Sequence, residues 1–494
     1  MSQHKVWMKM NKKDIPKGRT LVKCKWVFEI KRNGVFRARL VACGYSQIPG
    51  IDFNEIYSPV INDSTFKILI VIILVLRYYS MLIDIETAFL HGDLAEQIYM
   101  QCPEGVGDPK SECVKLLKTI YGLAQSSREF FKKMVTVLKE IGFNQNQAEP
   151  CLLKRENKKG ITIIGLYIDD CLIAGDKMAV RESINDIKKV FSVKETDNLE
   201  DYLSCQILFD KERKKAWIGQ PHMIKKLDKT FNQYIKHGKT YSTPGTPNHV
   251  LVRPKDNDPL VEDWERDLYR TGVGMLLYLV KHSRPDIANA VRELSKLNDG
   301  VTRAAMKELF RVIKYVLDTR QLGLKIEPDL TLALWTIVAF SDSDWAGDKD
   351  TRLSTSGFII FWMGVPIVWR SKAQRVVALS SSEAEYYALS EAAKEVKFIA
   401  QTAISMGLKV QLPIVVRVDN IGAIFMAENI TATSRTRHVD LRYRFIKQFQ
   451  DDGFLRIVFV KTEENCSDLM TKNVKGELNE KHSKRLMADK SYIN

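Results

Sequence analysis

Residues 161–175 read Ile161-Thr162-Ile163-Ile164-Gly165-Leu166-Tyr167-Ile168-Asp169-Asp170-Cys171-Leu172-Ile173-Ala174-Gly175, with two adjacent aspartates at the centre of an apolar segment. The β-branched flanks predict two strands joined in a hairpin at the aspartates. Asp is depleted in strands and neighbouring carboxylates repel each other, so stability alone does not favour this pair. A divalent cation such as Mg²⁺ would offset the repulsion, because it prefers oxygen ligands. A plain Asp-rich turn is the alternative.

Composition and charge point to an acidic partner. The chain has 494 residues, enough for about three domains. Its 45% hydrophobic and 27% charged residues are typical of a globular protein. The formal net charge of +15 favours nucleic acid as the partner. A basic surface without such a partner is the alternative.

The cysteines and the apolar runs exclude several classes of protein. The 8 cysteines form no C-x-x-C pair and have no histidine cluster beside them, which argues against a zinc site or a disulfide framework. We expect no signal peptide and a reducing intracellular compartment, cytoplasmic or nuclear. The most apolar run, Ile68–Leu76, is far shorter than the roughly 20 residues that cross a bilayer. The run is therefore predicted to be a core helix or a core strand, with a buried helix over residues 64–80 as the favoured interpretation, and no membrane partner is expected.

Two further patterns in the first half carry charged or polar groups. A hairpin is predicted for residues 23–42, with its turn at Arg32-Asn33-Gly34. Arg37 and Arg39 share one face of its second strand, where they could bind phosphates or form a solvated face. Asp84 interrupts an apolar strand, as a strand-end cap, a buried hydrogen-bonded group or a third carboxylate beside Asp169 and Asp170. A turn at residues 121–125 leads into a helix that ends near Gly142.

A second set of acids follows a breaker-rich linker at residues 242–247 and helical patterns that continue to about Thr319. Asp342 follows an apolar strand, and Asp419 ends another. Glu383 and Glu385 lie in the first turns of a helix capped by serine. Asp468 lies in the segment Asn465-Cys466-Ser467-Asp468-Leu469-Met470-Thr471-Lys472, which closes this part of the chain. Each acid alone is explained by a cap, a strand end or a turn.

The order and spacing of the motifs resemble the reverse transcriptase of copia-type LTR retrotransposon Pol polyproteins, through roughly residue 240. The motifs are Lys25-Trp26-Val27-Phe28, Ala38-Arg39-Leu40-Val41-Ala42, Gly44-Tyr45-Ser46-Gln47, Gly50-Ile51-Asp52-Phe53, Ser58-Pro59-Val60, Asp84 to Leu94, Tyr99-Met100, Pro103-Glu104-Gly105, Tyr121-Gly122-Leu123 with Gln125, and Tyr167 to Asp170.

The resemblance implies roles for residues of the first half. Asp84, Asp169 and Asp170 match the catalytic carboxylates, which would hold two Mg²⁺ ions (Mn²⁺ is possible) against a primer 3′-hydroxyl and the leaving pyrophosphate. Phe89 matches the bulky side chain that excludes a ribose 2′-hydroxyl, although a core role also explains it. The other matched nucleotide-binding positions are Gln125, Arg37 and Arg39.

The second set of acids resembles a ribonuclease H domain. The resemblance implies that Asp342, Glu385, Asp419 and Asp468 are catalytic and bind two Mg²⁺ ions that activate water against a phosphodiester. Glu383 is interpreted as a partner of the helix cap. His438 lies in a further matching motif, with a nucleic-acid or a structural role.

The expected fold is α/β (α+β), with a fingers–palm–thumb polymerase, a helical connection and a C-terminal ribonuclease H-like mixed sheet. The expected domains are residues 1–240 for fingers and palm, 241–330 for a mostly helical thumb or connection, 331–475 for the nuclease, and 476–494 for a loosely ordered basic tail.

The resemblance implies an RNA-directed DNA polymerase with ribonuclease H activity. Its partners would be an RNA template, a DNA primer, the RNA–DNA hybrid and dNTPs. The alternative is a truncated, catalytically impaired copy that only binds nucleic acid or a partner, since Cys43 and Ala124 replace usually basic residues and no protease, integrase or zinc-knuckle motif is visible.

Overall fold

The computed structural model describes residues 5–30, 34–197, 199, 202–235, 238–255, 258–333, 335–428 and 437–493, with the backbone alone for 437–441 and 443. The chain divides into two compact units. The first comprises residues 1–62 and 79–197, and the second comprises residues 63–78 and 198–494. No helix in the described ranges is long and apolar enough to cross a membrane.

The first 197 residues contain twelve described strands and three described helices. The strands are β1 Trp7–Asn11, β2 Leu21–Val22, β3 Cys24–Ile30, β4 Phe36–Ala42, β5 Tyr79–Ile85, β6 Asp93–Gln101, β7 Glu112–Lys118, β8 Asn144–Gln145, β9 Leu152–Asn157, β10 Gly160–Tyr167, β11 Asp170–Gly175 and β12 Val193–Thr196. The helices are α1 Asp63–Val75, α2 Ser126–Glu140 and α3 Lys177–Lys188. Helix α1 belongs to the second unit, and its burial from Thr65 to Leu74 confirms the predicted core helix.

A six-stranded sheet with the order β12-β5-β11-β10-β9-β8 forms the centre of the first unit. Strands β10 and β11 form the predicted antiparallel hairpin. Apolar residues of these two strands, such as Ile164 and Ile173, pack with Met134 of α2 and Ile184 of α3 in one core. The apolar composition of the two strands thus fixes the hairpin at the middle of the sheet and leaves its aspartate tip at one end.

The predicted hairpin near the start of the chain is also present. Strands β3 and β4 pair antiparallel from Cys24 opposite Ala42 to Ile30 opposite Phe36. Residues 31–33 of the predicted turn lie outside the described residues. A four-stranded sheet with the order β1-β7-β6-β2 completes the sheets described in this unit.

The remaining elements belong to the second unit. The strands are β13 Gln206–Phe209, β14 Ala216–Gly219, β15 Leu322–Ile326, β16 Ile337–Asp344, β17 Thr355–Trp362, β18 Val365–Ala373, β19 Ile414–Val418, β20 Leu455–Phe459 and β21 Met487–Asp489. The helices are α4 Pro221–Phe231, α5 Asp263–His282, α6 Ala288–Ser295, α7 Arg303–Asp318, α8 Ser381–Ser405, α9 Ile421–Glu428, α10 Arg437–Asp451, α11 Asp468–Thr471 and α12 Gly476–Leu486. Helices α5 to α7 confirm the helical pattern that was expected up to Thr319.

A five-stranded mixed sheet with the order β18-β17-β16-β19-β20 carries the second set of acids. Strands β16, β17 and β18 are antiparallel, whereas β19 runs parallel to both β16 and β20. Helix α8 packs on β16 and β17. The mixed sheet with helices agrees with the fold class that the sequence predicts.

The expectation of a loosely ordered tail after residue 475 is wrong. Helix α12 covers Gly476–Leu486, and β21 pairs with β15. Leu486 and Met487 are 0% and 4% exposed and belong to a core with Phe340. Burial of the few apolar side chains offsets the conformational entropy that is lost when this segment becomes ordered. The many charged residues around them obscure this apolar pattern in the sequence.

Candidate active sites

The aspartate pair lies at a tight hairpin tip. Tyr167 pairs with Asp170, which leaves Ile168 and Asp169 as the two turn residues. Ile168 has a φ of +56°, a conformation that is strained for a β-branched residue. The backbone N–H of Ile85 donates to the carbonyl oxygen of Asp169 at 3.1 Å. The turn is therefore tied to the end of β5, the strand that carries Asp84.

Asp84 lies directly across the ladder from Asp170. The pairing of β5 with β11 places these two residues opposite each other, where side chains are close neighbours. Burial and the negative charge of Asp169 raise the pKa of Asp84, while Lys194 and Arg37 oppose the shift. The structure thus brings the three predicted carboxylates to one end of the sheet.

Basic and aromatic side chains surround this end of the sheet. The positive charge of Arg37 opposes the increase in the pKa of Asp84 that burial causes. The Arg39 guanidinium contacts Glu29 at 3.0 Å and lies 5.6 Å from the centre of the Tyr121 ring. Phe89 meets the same tyrosine edge-on at 5.0 Å. Burial, followed by the charge of Asp169, raises the pKa of Tyr121, whereas Arg37 and Arg39 oppose the shift.

The side chain of Gln125 is buried and hydrogen-bonded within the first unit. Its side chain is 1% exposed. Its amide nitrogen donates to the backbone oxygen of Asp52 at 2.9 Å, and its oxygen accepts from Gln47 at 3.1 Å. The structure places this side chain in a buried hydrogen-bond network, so a nucleotide could reach it only if the network opened.

The acids of the second unit converge closely. Carboxylate oxygens of Asp342, Glu385 and Asp419 lie within 4.8 Å of one another. They come from the end of β16, the first turns of α8 and the end of β19, and β16 and β19 are parallel neighbours. Among the described residues, the carboxylates of Asp84 and the hairpin tip do not reach this spacing.

Burial and mutual repulsion dominate the electrostatics of this acid cluster. Burial, followed by the charges of Asp342 and Asp419, raises the pKa of Glu385. The backbone N–H of Ser343 donates to its Oε1 at 3.1 Å, whereas its buried Oε2 has no hydrogen-bond partner within the described ranges. An unpartnered carboxylate oxygen beside two further acids fits a divalent cation.

Asp468 joins the cluster through Lys472. The Lys472 ammonium lies 3.1 Å from Asp468 and 3.4 Å from Asp342. Although burial opposes it, the negative charge of these two acids raises the pKa of Lys472. Burial and the charge of Asp342 raise the pKa of Asp468. Thr471 donates its hydroxyl to Asp342. Helix α11 thus contributes an acid and a hydrogen bond, and the residue that follows it contributes a cation.

Polar side chains hold these elements in place. Asn465 donates to the carbonyl oxygen of Ser341 at 3.1 Å, which ties the α11 segment to β16. Ser380 caps α8 by accepting from the N–H of Glu383. The Glu383 carboxylate accepts from the N–H of Leu379 at 2.7 Å, which confirms the interpretation of this glutamate as a partner of the cap.

Two charged residues beside the cluster were not singled out from the sequence. Asp344 lies two residues after Asp342 on the same face of β16, and burial raises its pKa. Lys472 lies four residues after Asp468, a helical spacing that places the two side chains together and could have identified the pair. The side chain of His438 lies outside the described residues.

Comparisons with known proteins agree with the resemblance that the sequence motifs indicate. Residues 5–243 match the family described as reverse transcriptase (RNA-dependent DNA polymerase). The Retrovirus-related Pol polyprotein from transposon TNT 1-94 of Nicotiana tabacum is 34% identical over an alignment of 473 positions, and the match covers 93% of this chain and 35% of that protein. The corresponding protein from transposon RE1 of Arabidopsis thaliana is 33% identical, over 92% of this chain and 31% of its own length.

A solved structure supports the fold. The structure of a foamy viral protease-reverse transcriptase in complex with double-stranded DNA is similar over 93% of this chain and 68% of that chain, with a TM-score of 0.50 and 12% identity. The chain spans about a third of the length of the curated relatives it matches. Residues 5–243 are therefore similar to the reverse transcriptase family, and more than nine-tenths of the chain is similar to part of retrotransposon Pol polyproteins, as the sequence motifs predict.

Proposed function

We propose that this chain is an RNA-directed DNA polymerase whose second unit contains a ribonuclease H, which we assign to residues 331–475. The close approach of Asp342, Glu385 and Asp419 from three different elements carries the nuclease assignment. The pairing of Asp84 with Asp170, together with the family match of residues 5–243, supports the polymerase assignment.

In the polymerase, Asp84, Asp169 and Asp170 would hold the divalent cations. The guanidiniums of Arg37 and Arg39 would bind the triphosphate of an incoming dNTP, since planar, charged donors suit phosphate oxygens. Phe89, whose ring contacts that of Tyr121 edge-on, would exclude a ribose 2′-hydroxyl. The template would be RNA and the primer DNA, and the basic chain favours binding of both backbones.

In the nuclease, Asp342, Glu385, Asp419 and Asp468 would hold the divalent cations, for which we propose Mg²⁺. When bound at either site, the cations supply positive charge that lowers the pKa of the attacking hydroxyl or water and stabilises the leaving oxygen. The fixed position of each carboxylate on a strand end or helix keeps the reacting groups oriented. The scissile strand would be the RNA of an RNA–DNA hybrid.

Primer extension on poly(rA)–oligo(dT) with Mg²⁺ tests the polymerase. We expect the chain to synthesise DNA and its Asp169→Asn variant not to, while the variant still cleaves the RNA of a hybrid. Loss of both activities in the variant would contradict two separate sites. Absence of synthesis and cleavage in a folded, duplex-binding wild-type chain would favour the impaired copy that only binds nucleic acid.

A further inference from the structure

A cavity of about 640 Å³ lies within the second unit, at the end of the five-stranded sheet opposite the acid cluster. It is lined by the end of α1, the loop between β13 and β14, β15 and the residues after it, the turn between β17 and β18, and α12. Its volume is typical of small-molecule sites. The charged lining residues are Arg77, Lys214, Lys325, Arg485, Glu327 and Asp329. Four cations and two acids therefore leave an excess of positive charge.

The cavity is separate from the proposed nuclease site. It contains Gly364 of the turn between β17 and β18, and Trp362 before this turn pairs with Ile337 at the start of β16. Asp342 lies five residues further along β16, which amounts to about 17 Å. A ligand of the size of the cavity would therefore not touch the acid cluster.

Both acids of the cavity have hydrogen-bond donors of their own. Asp329 accepts from the hydroxyl of Thr331 at 2.6 Å and from its backbone N–H at 2.9 Å, and these bonds lower the pKa of Asp329. Glu327 contacts the ammonium of Lys325 at 2.9 Å, which lowers the pKa of Glu327. The two acids are thus stabilised in their charged form without the arginines of the cavity.

Arg77 is held at the cavity by neutral groups. Its Nη1 donates to the backbone oxygens of Glu212 at 2.7 Å and of Arg213 at 3.2 Å. The carboxylate of Glu212 pairs with Lys214 instead. Among the described residues, no carboxylate forms an ion pair with the exposed Arg77. Its guanidinium therefore keeps an unneutralised charge, with more N–H groups than these two contacts use.

Arg485 is positioned by two aromatic rings. Its guanidinium lies 4.6 Å from the centre of the Phe340 ring and 4.7 Å from that of the Phe361 ring. Such a contact leaves the in-plane N–H groups of a guanidinium available to a ligand. Arg485 is exposed and forms no ion pair in the described part of the chain. The two arginines thus offer directed donors that the protein itself does not neutralise.

The arrangement of charges favours a compact anion. The four cations belong to four different segments around one cavity, so a ligand with several charges on a few atoms can contact them together. An acidic peptide carries at most one charge per residue, about 3.4 Å apart along the chain. Leu74, Pro328 and Leu330 also line the cavity, and Leu330 is 62% exposed. These apolar side chains suit the base of a nucleotide.

We infer that this cavity binds a small ligand with a chain of phosphates, the chemistry shared by free nucleoside triphosphates and inorganic polyphosphates. Arg77 and Arg485 contact the phosphate oxygens, since planar guanidiniums match them, and Lys214 adds positive charge. In a nucleotide, Leu330 contacts the base. The inference rests on neither proposed activity, because the cavity contains none of the residues assigned to them.

Calorimetric titration of the full chain with inorganic triphosphate in EDTA tests the phosphate contacts. The background variant Arg37→Met/Arg39→Met removes the cations of the proposed dNTP site, and we expect it still to bind triphosphate. Addition of Arg77→Met/Arg485→Met should weaken this binding at least about tenfold, because charged hydrogen bonds to the ligand are lost.

The matched control is Lys409→Met/Arg456→Met in the same background. It removes two exposed charges of the second unit outside the cavity and should bind as the background does. Equal affinity of the cavity variant and this control overturns the inference. Lys214→Met, at an exposed position, should weaken binding about threefold and replaces the cavity variant if that chain does not fold. A background chain that binds no triphosphate overturns the inference, whatever the stability of the variants.

Titration with dATP distinguishes the two sources of the phosphate chain. If the ligand is a nucleotide, dATP should bind the background variant more tightly than triphosphate does. Leu330→Ser should then weaken binding of dATP about threefold and leave triphosphate unchanged. Equal affinity for the two ligands would assign the cavity to inorganic polyphosphate. Hexaglutamate that binds as tightly as triphosphate overturns the assignment to phosphates. Primer extension and hybrid cleavage test the proposed function independently of all these titrations.

Discussion

The two acidic sites differ in how completely the protein prepares them. In the second unit, Asp342, Glu385 and Asp419 are already within 4.8 Å of one another on a mixed sheet and a long helix. A lysine lies between two of the four acids. In the first unit, Asp169 stands on a two-residue turn next to the strained Ile168.

This difference has a physical cause. The charge of buried carboxylates must be neutralised by protonation, by a lysine side chain or by a bound metal ion, and the second site provides a lysine of its own. The first site is less enclosed, with Asp84, Asp169 and Asp170 all partly exposed, so water screens their repulsion. The nuclease acids should therefore respond more strongly than the polymerase acids to pH and to the removal of metal.

The largest expected effect is the separation of the two activities. Asp419→Asn should reduce cleavage of a hybrid by more than about 100-fold, because it removes a charge from the proposed metal site. DNA synthesis should be unchanged. Rates of cleavage and primer extension on one substrate measure both effects. Asp452→Asn, at an exposed position, is the control, and equal loss of synthesis in Asp419→Asn would mean that the two sites are coupled.

Replacement of Lys472 tests the internal cation. Lys472→Met leaves Asp342 and Asp468 facing each other, so the metal-free protein should lose about 1 kcal/mol after allowance for solvent screening. That loss lowers the melting temperature of the second unit, which has about 300 residues, by about 1–2 °C. Mg²⁺ should stabilise this variant more than the wild type, because the ammonium no longer competes. Melting in EDTA and in Mg²⁺ measures both.

Lys475→Met is the matched control for this change. It removes an exposed lysine from the same segment. An identical response to Mg²⁺ in the two variants would show that Lys472 does not compete with a metal.

Much of both sites could be predicted from local patterns. Asp84, Asp342 and Asp419 each end or interrupt an apolar strand, and the alternation of strands predicts that such ends meet at one edge of a sheet. The buried position of Gln125 could not be predicted, because its partner Asp52 lies 73 residues away along the chain. The position of Lys472 in the site was not predicted, because the sequence patterns identify the acids but not the cation that their burial requires.

The pH dependence of stability should also distinguish the two sites. The pKa of Glu385 is raised in the folded protein. Its contribution to stability is fully present below its unfolded pKa, near 4.5, and is lost as the pH rises through the higher folded pKa. In EDTA, the wild type should therefore lose more stability than Glu385→Gln between pH 5 and pH 8. Thermal melting across this range measures the difference.

The exposed Glu463 provides the control for the pH series. Glu463→Gln should reproduce the slope of the wild type. A slope for Glu385→Gln that is as steep as that of the wild type would exclude this glutamate as the source of the pH dependence.

The smallest expected effect concerns strain at the polymerase hairpin. Ile168 is 36% exposed and has a positive φ, so Ile168→Gly relieves a conformation that costs about 1–2 kcal/mol. Ile48→Gly changes an isoleucine that is 43% exposed and lacks a positive φ. Both substitutions remove side-chain contacts from the folded protein and increase the conformational freedom of the unfolded chain. We therefore expect Ile168→Gly to destabilise the protein by about 1 kcal/mol less than Ile48→Gly in urea titrations. Equal destabilisation would mean that the turn at Asp169 stores no strain, and the contrast between the two sites would then lie in burial and charge alone.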